Sequence, residues 1–146
     1  MKPSGTLLIV PGRTYSIPDE SAMRSLGAIA VKELKAGDLV LLLGPLGAGK
    51  TTLVRGMLEG LGWREPVRSP TFNLIQVFDT EPPVMHADLF RVQGAAGLGI
   101  EDYLTSHLCL IEWADRAPEL SAESNAIRIE IEFDEPGRKV SFVRPK

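Results

Sequence analysis

Apolar side chains recur at helical spacing near the start of the chain. Met23, Leu26, Ala30 and Leu34 fall on one face of a helix. Two acidic residues precede them, and their charge suits the positive end of a helix dipole. This pattern predicts a helix over residues 16–35.

A continuous apolar run and a second amphipathic segment follow. Residues 39–43 (LVLLL) have the composition of a strand that is buried on both faces, as in a parallel sheet covered by helices. Residues 51–61 place apolar side chains on one stripe and are followed by Gly62, a residue type that commonly ends a helix. We therefore expect a strand, a loop and a helix in this order.

Further segments have the apolar content of strands, and the last two form a predicted hairpin. Residues 127–133 alternate strictly between apolar and polar, which indicates a strand with one wet face. The turn sequence DEPG joins this strand to the next one. The predicted strands are residues 73–79, 84–88, 107–113, 127–133 and 138–143. The pattern predicts an α/β domain of three layers, with a mainly parallel central sheet and an antiparallel flank.

Length, charge and cysteine content narrow the class of protein. A chain of 146 residues without repeats or linkers fits one domain over residues 1–146. Its net charge of −3 argues against coating of nucleic acid through bulk electrostatics. The lone cysteine, Cys109, lies in an apolar run and needs no oxidising compartment. Because the chain has no long apolar segment and no signal-peptide pattern, we expect a cytoplasmic protein that does not contact membranes.

The loop between the predicted strand and helix has the sequence GPLGAGKT, which fits G-x-x-x-x-G-K-[ST] at every fixed position. Gly44, Gly47 and Gly49 let the backbone curl so that its N–H groups point at phosphate oxygens. The loop leads into a helix N-terminus, which adds N–H donors and a positive dipole end. Lys50 supplies a full charge to the phosphates, and the Thr51 hydroxyl can bind magnesium. The sequence therefore predicts a P-loop that binds a nucleotide.

Hydrolysis of the nucleotide also needs carboxylates near the metal and a group that orients water. Glu112 ends the apolar run at 108–111, and Asp88 ends another at 84–87. Since ligands of open α/β sheets lie beyond the carboxyl ends of the strands, both carboxylates are expected near the metal. The residues alone leave open which of them contacts the metal and which positions water.

Two other residues are candidates for nucleotide contacts. Thr71 lies between the P-loop helix and the next strand, where switch proteins carry a threonine that senses the γ-phosphate. Trp113 follows Glu112 and belongs either to the core or to a surface near the nucleotide. The guanine-recognition sequences N-K-x-D and D-x-x-G do not occur, so ATP is expected rather than GTP.

Four short sequences, in this order and spacing, resemble the TsaE (YjeE) family. They are GAGKTT at 47–52, SPTF at 69–72, HADLFR at 86–91 and IEW at 111–113. The sequences IPDE at 17–20 and GIEDY at 99–103 are also similar to the family. TsaE is the ATPase subunit of bacterial threonylcarbamoyladenosine tRNA modification. The resemblance extends over nearly the whole chain.

The resemblance implies a P-loop ATPase that uses ATP and Mg²⁺, is weak alone and is stimulated by its partners. Those partners are the transferase subunit of the threonylcarbamoyl complex and its companion subunit, with tRNA contacted indirectly. It implies that Thr51 and Glu112 bind magnesium, and that Asp88 and Lys50 serve hydrolysis. The implied nucleotide-binding residues are Ile17 and Glu20 near the adenine, then Gly44, Leu46, Gly47, Ala48, Gly49, Lys50, Thr51, Thr52, Thr71 and Trp113.

Two positions depart from the family pattern: Pro45 stands where many relatives have Asp, and Phe90 where many have Tyr. Neither departure removes a phosphate or metal ligand, and the first changes the outer surface of the loop. Two other hypotheses remain at this point. The alternatives to the ATPase subunit are a small-molecule kinase, against which the missing Arg-rich lid counts, and a nucleotide-sensing module with little turnover.

Overall fold

In a computed structural model, the chain is described over residues 13–67, 74–90, 99–116, 118–121 and 125–143. No helix in these ranges is both long and apolar enough to cross a membrane. One-turn 3₁₀ helices lie at Val31–Glu33, Ile100–Asp102 and Ala114–Arg116. The remaining elements are β1 (Thr14–Ile17), α1 (Glu20–Ala30), β2 (Leu39–Leu43), α2 (Lys50–Gly60), β3 (Ile75–Phe78), β4 (Val84–Asp88), β5 (Leu108–Glu112), α3 (Pro118–Ser121), β6 (Ile127–Asp134) and β7 (Gly137–Val143).

The strands of the described chain form one sheet of seven, in the order β1-β7-β6-β2-β5-β4-β3. Its centre is parallel, because β2 pairs in parallel with both β5 and β6, and β5 pairs in parallel with β4. Antiparallel pairs lie at both edges, with β3 on β4 at one edge and β6, β7 and β1 at the other. The predicted parallel centre is therefore confirmed, and antiparallel strands flank it on two sides.

Side chains of the central strands alternate between two apolar layers, as the period of two along a strand requires. On β2, Val40 and Leu42 face the layer formed by α1 and α2. Leu39 and Leu41 face a second core, to which Ile100 and Leu120 contribute from short helical segments. The domain thus has the layers expected of a P-loop fold, although its second helical layer consists of short segments.

Helices α1 and α2 approach each other closely through glycines. A Cβ on Gly56 of α2 would lie 2.2 Å from the carbonyl oxygen of Arg24 on α1. A Cβ on Gly27 of α1 would lie 2.5 Å from the carbonyl oxygen of Leu53. The same packing brings Met23 of α1 to the start of α2, where a Cβ on Gly49 would lie 3.1 Å from the Met23 Cε.

The prediction that the first helix begins at residue 16 is wrong. Ser16 and Ile17 lie in β1, where Ile17 pairs with Arg138 of β7. Pro18 explains the boundary, since the residue before a proline is driven out of the helical region. Asp19 then caps α1, its Oδ1 accepting a hydrogen bond from the Ala22 N–H at 2.8 Å.

The other predicted elements lie within two residues of the observed ones. The strand at 39–43 is β2 itself, and the helix predicted at 51–61 is α2, which starts one residue earlier. The first helix ends sooner than predicted, at Ala30, and tightens into a 3₁₀ turn. Part of the strand predicted at 73–79 lies outside the described residues, which show β3 at Ile75–Phe78.

We predict that Gly56→Ala destabilises the protein. In an isolated helix this change would stabilise by about 1 kcal/mol. Here the new methyl group meets the backbone of α1 at 2.2 Å, and overpacking of this kind costs roughly 1–3 kcal/mol. Urea unfolding should therefore show a lower free energy of unfolding. The control is Ser25→Ala on the exposed face of α1, which should change the free energy by no more than about 0.5 kcal/mol. An equal or higher stability of Gly56→Ala would contradict the close helix contact.

Candidate functional site

The loop from β2 to α2 has glycines where the neighbouring backbone leaves no room for a side chain or where φ is positive. A Cβ on Gly44 would lie 2.4 Å from the carbonyl oxygen of Ile131 on β6. Gly49 adopts φ +114° as the N-cap of α2, a conformation that side chains other than glycine rarely adopt. Because Gly49 has no side chain, it does not cap the first N–H groups of α2. These N–H groups are the donors that a phosphate needs.

Lys50 begins α2 and places a buried ammonium group against the loop. The residue is 5% exposed, and its Nζ donates to the carbonyl oxygen of Gly44 at 2.6 Å. The Nζ also lies 3.5 Å from the ring centroid of Trp113, a cation–π distance. Burial lowers the pKa of Lys50, and the carboxylates of Glu112 and Asp88 act in the opposite direction. The side chain is therefore a desolvated cation on which three carboxylates act, since Asp115 also raises its pKa.

Thr51, Glu112 and Asp88 lie together, as their positions in the sequence predict. The Thr51 Oγ1 donates to the Glu112 carboxylate, with distances of 3.1 Å to Oε2 and 3.3 Å to Oε1. Asp88 and Glu112 are register partners at the carboxyl ends of β4 and β5. The Asp88 Oδ1 accepts a hydrogen bond from the Phe90 N–H at 3.0 Å. A hydroxyl group and two carboxylates thus face the same end of the sheet.

Two cavities of about 250 Å³ each lie against the loop. Both are bordered by Gly47, Gly49 and Thr52, so they adjoin each other across the loop. The first is also lined by Ile17, Glu20, Ala48, Met23 and Arg138. The second is also lined by Leu46, Lys50, Thr51, Asp88, Glu112 and Trp113. The predicted adenine-side residues therefore line the first cavity, the predicted metal and catalytic residues line the second, and the phosphate loop lies between the two.

Three features of the site were not predicted from the sequence. Arg138 comes from β7 and reaches the loop, its Nε donating to Ala48 O at 3.1 Å and its Nη2 to Gly47 O at 3.4 Å. The Arg138 guanidinium carbon also lies 4.6 Å from the ring centroid of Phe133. Trp113 adopts φ +61°. No sequence signal pointed to Arg138, because its contact depends on how the hairpin folds over the loop.

His86 of β4 is completely buried. Its Nε2 also lies 2.7 Å from Glu112 Oε2. The signal was present in the sequence, since residues two apart on a strand share a face and His86 precedes Asp88 by two. Thr71, the predicted γ-phosphate sensor, lies outside the described residues, so that interpretation stays a prediction.

A parallel-centred sheet in which β2 leads through a glycine loop into a helix beginning Lys-Thr defines a P-loop nucleoside triphosphatase fold. The model of the family "Threonylcarbamoyl adenosine biosynthesis protein TsaE" matches residues 17–140. The chain belongs to this family.

Individual relatives agree with the family match. The chain is 41% identical over 116 residues to the tRNA threonylcarbamoyladenosine biosynthesis protein TsaE of Streptomyces coelicolor, covering 74% of this chain and 78% of the relative. It is 35% identical over 140 residues to the protein of that name from Haemophilus influenzae, covering 89% of this chain and 88% of the relative. The crystal structure of YdiB from Bacillus subtilis superimposes with a TM-score of 0.76 and 26% identity, covering 92% of this chain and 86% of YdiB.

We predict that Arg138→Ala weakens nucleotide binding without unfolding the protein. The change removes two hydrogen bonds to loop carbonyls, each worth about 1 kcal/mol before solvent screening. The expected effect is a roughly fivefold higher Kd, equivalent to about 1 kcal/mol, measured by calorimetry with ATP. Lys139→Ala removes the same charge one residue away at an exposed position and serves as the control. If both variants bind alike, the loop contact has no role in binding.

Proposed function

We propose that the chain is the ATP-binding and ATP-hydrolysing subunit required for threonylcarbamoyladenosine modification of tRNAs that read codons beginning with A. In this proposal it acts on the transferase subunit and its companion and contacts tRNA only indirectly. The observation that carries the proposal is the cluster of Lys50, Thr51, Asp88 and Glu112 at one end of the sheet. Membership of the TsaE family and the names of its relatives support the particular pathway.

The donor groups on this chain fit a magnesium-bound triphosphate. Among the residues that the structure describes, no three His, Cys, Asp or Glu side chains cluster as a metal site. Mg²⁺, however, is usually held by one or two carboxylates together with phosphate oxygens and water. We propose that Thr51 and Glu112 are its ligands from this chain. The second cavity, lined by Gly47, Gly49, Lys50 and Thr51, gives the space that the phosphate tail needs.

Each residue then has a separate role in hydrolysis. When bound, Mg²⁺ supplies positive charge that offsets the charge of the phosphate oxygens. The Lys50 ammonium, desolvated at the first turn of α2, attracts the same oxygens from the protein side. The hydrogen bond from Phe90 N–H fixes Asp88 Oδ1, and we propose that Oδ2 of this carboxylate orients the attacking water. Gly47 and Gly49 hold the phosphate tail through backbone N–H groups, whereas the Ala48 N–H donates to the Pro45 carbonyl oxygen at 3.1 Å within the loop.

Single substitutions should separate binding from hydrolysis. Lys50→Ala removes the charge that the loop presents and should abolish productive use of ATP.

Asp88→Asn retains the shape of the side chain but weakens its ability to orient the attacking water and to accept a proton from it. Turnover should therefore fall by about 10²-fold or more. The affinity of the Asp88→Asn variant for ATP should change little. Circular dichroism checks folding, and unchanged turnover in either folded variant would refute the role assigned to that residue.

The proposed role in tRNA modification is tested by measuring phosphate release from ATP with and without the transferase subunit, its companion and tRNA. Strong stimulation by these partners, with loss of modified tRNA when the chain is omitted, is the expected result. Transfer of phosphate to a small metabolite would support a small-molecule kinase instead. Tight ATP binding without release under any condition would support a nucleotide-sensing module.

A further inference from the structure

A buried histidine lies beside the proposed magnesium ligand. His86 is 0% exposed, Glu112 is 3% exposed, and the His86 Nε2 lies 2.7 Å from Glu112 Oε2. Asp88 lies two residues along the same strand and is the register partner of Glu112. The alternation of side chains therefore places His86, Asp88 and Glu112 on one face of the sheet, toward α2.

The direction of the hydrogen bond between the two side chains follows from their chemistry. An ionised carboxylate only accepts hydrogen bonds, so the His86 Nε2 must carry the proton that lies between them. The other ring nitrogen, Nδ1, is buried and has no hydrogen-bond partner among the residues that the structure describes. A neutral ring protonated at Nε2 satisfies this arrangement best, because it leaves no second N–H group buried without an acceptor.

The two donors hold the carboxylate unequally. Oε2 of Glu112 is close to both His86 Nε2, at 2.7 Å, and Thr51 Oγ1, at 3.1 Å. Oε1 has only the longer contact of 3.3 Å to Thr51 among these groups. Oε2 is thus the anchored oxygen, and Oε1 is the oxygen more readily offered to a metal.

We propose that His86 is a positioning residue: its Nε2–H group fixes the Glu112 carboxylate so that Oε1 and the Thr51 hydroxyl are presented together to Mg²⁺. This inference rests on the proposed function, since it presumes a metal-bound nucleotide at the loop. A side chain that served only as packing would be better apolar, because a buried nitrogen without a partner is unfavourable. Groups that orient a metal ligand from outside the metal's own ligand set commonly control its affinity.

The test measures how binding of a non-hydrolysable ATP analogue depends on Mg²⁺. We expect His86→Leu to raise the Mg²⁺ concentration needed for half-maximal tight binding by about tenfold to a hundredfold, the range found when such partners are lost. Affinity for the analogue in EDTA should stay unchanged, since the loop and Lys50 are intact. His86→Gln places an amide N–H group near the Nε2 position. The Mg²⁺ concentration that this variant needs for half-maximal binding should therefore be close to that of the unsubstituted protein.

Two controls separate this effect from damage to the core. Met85→Leu changes the adjacent buried residue of β4, which faces the opposite layer, and should leave the Mg²⁺ requirement unchanged. The chain has only two histidines, so His107→Gln identifies the His86 signals in a proton–nitrogen NMR spectrum. In the unsubstituted protein that spectrum should show the proton of His86 on Nε2. This measurement tests the hydrogen bond even if the His86 variants do not fold.

The outcomes distinguish the two proposals. If the unsubstituted protein binds the analogue equally with and without Mg²⁺, the metal-dependent function itself fails and the role of His86 fails with it. If the unsubstituted protein requires Mg²⁺ and His86→Leu has the same requirement, only the positioning role is overturned. A His86 proton on Nδ1 would also overturn it, because Nε2 could then not donate to Glu112.

Discussion

The ammonium group of Lys50, buried at the first turn of α2, is the constraint on which the site depends. A desolvated cation is unfavourable unless negative groups surround it. The Gly44 carbonyl, the Trp113 ring and the nearby carboxylates provide that environment. Because Lys50 is fixed by the loop, every element that shapes the loop also positions the cation, including β6 at Gly44 and the hairpin residue Arg138.

The parallel centre of the sheet explains why the carboxylates face this cation. β2, β4 and β5 run in the same direction, so the loop after β2 and the last residues of β4 and β5 meet at one edge. Thr51 then reaches Glu112 although 61 residues separate them along the chain. The close contact of α1 with α2 brings Glu20 to the adjoining cavity, and the pairing of β1 with β7 brings Ile17 there. One fold thus aligns a phosphate cradle, two carboxylates and a space for a base.

Secondary structure was predicted best where a functional motif also determines the boundaries of the neighbouring strand and helix. β2, the loop and α2 were predicted almost to the residue, because the glycine motif fixes the boundary between strand and helix. The start of the first helix was wrong, since Pro18 and pairing with β7 outweigh the apolar spacing. Arg138 was missed because its contact with the loop joins residues about 90 positions apart, which no local signal records. The roles of Asp88, Glu112 and Thr71 remain predictions.

The most direct test of the account is calorimetric titration of the protein with ATP and with AMP in the presence of excess Mg²⁺. If backbone N–H groups and Lys50 bind a phosphate tail, ATP should give saturable heat at one site per chain. AMP, which lacks the outer phosphates, should bind far more weakly. Absence of ATP binding, or equal affinity for the two nucleotides, would contradict the account.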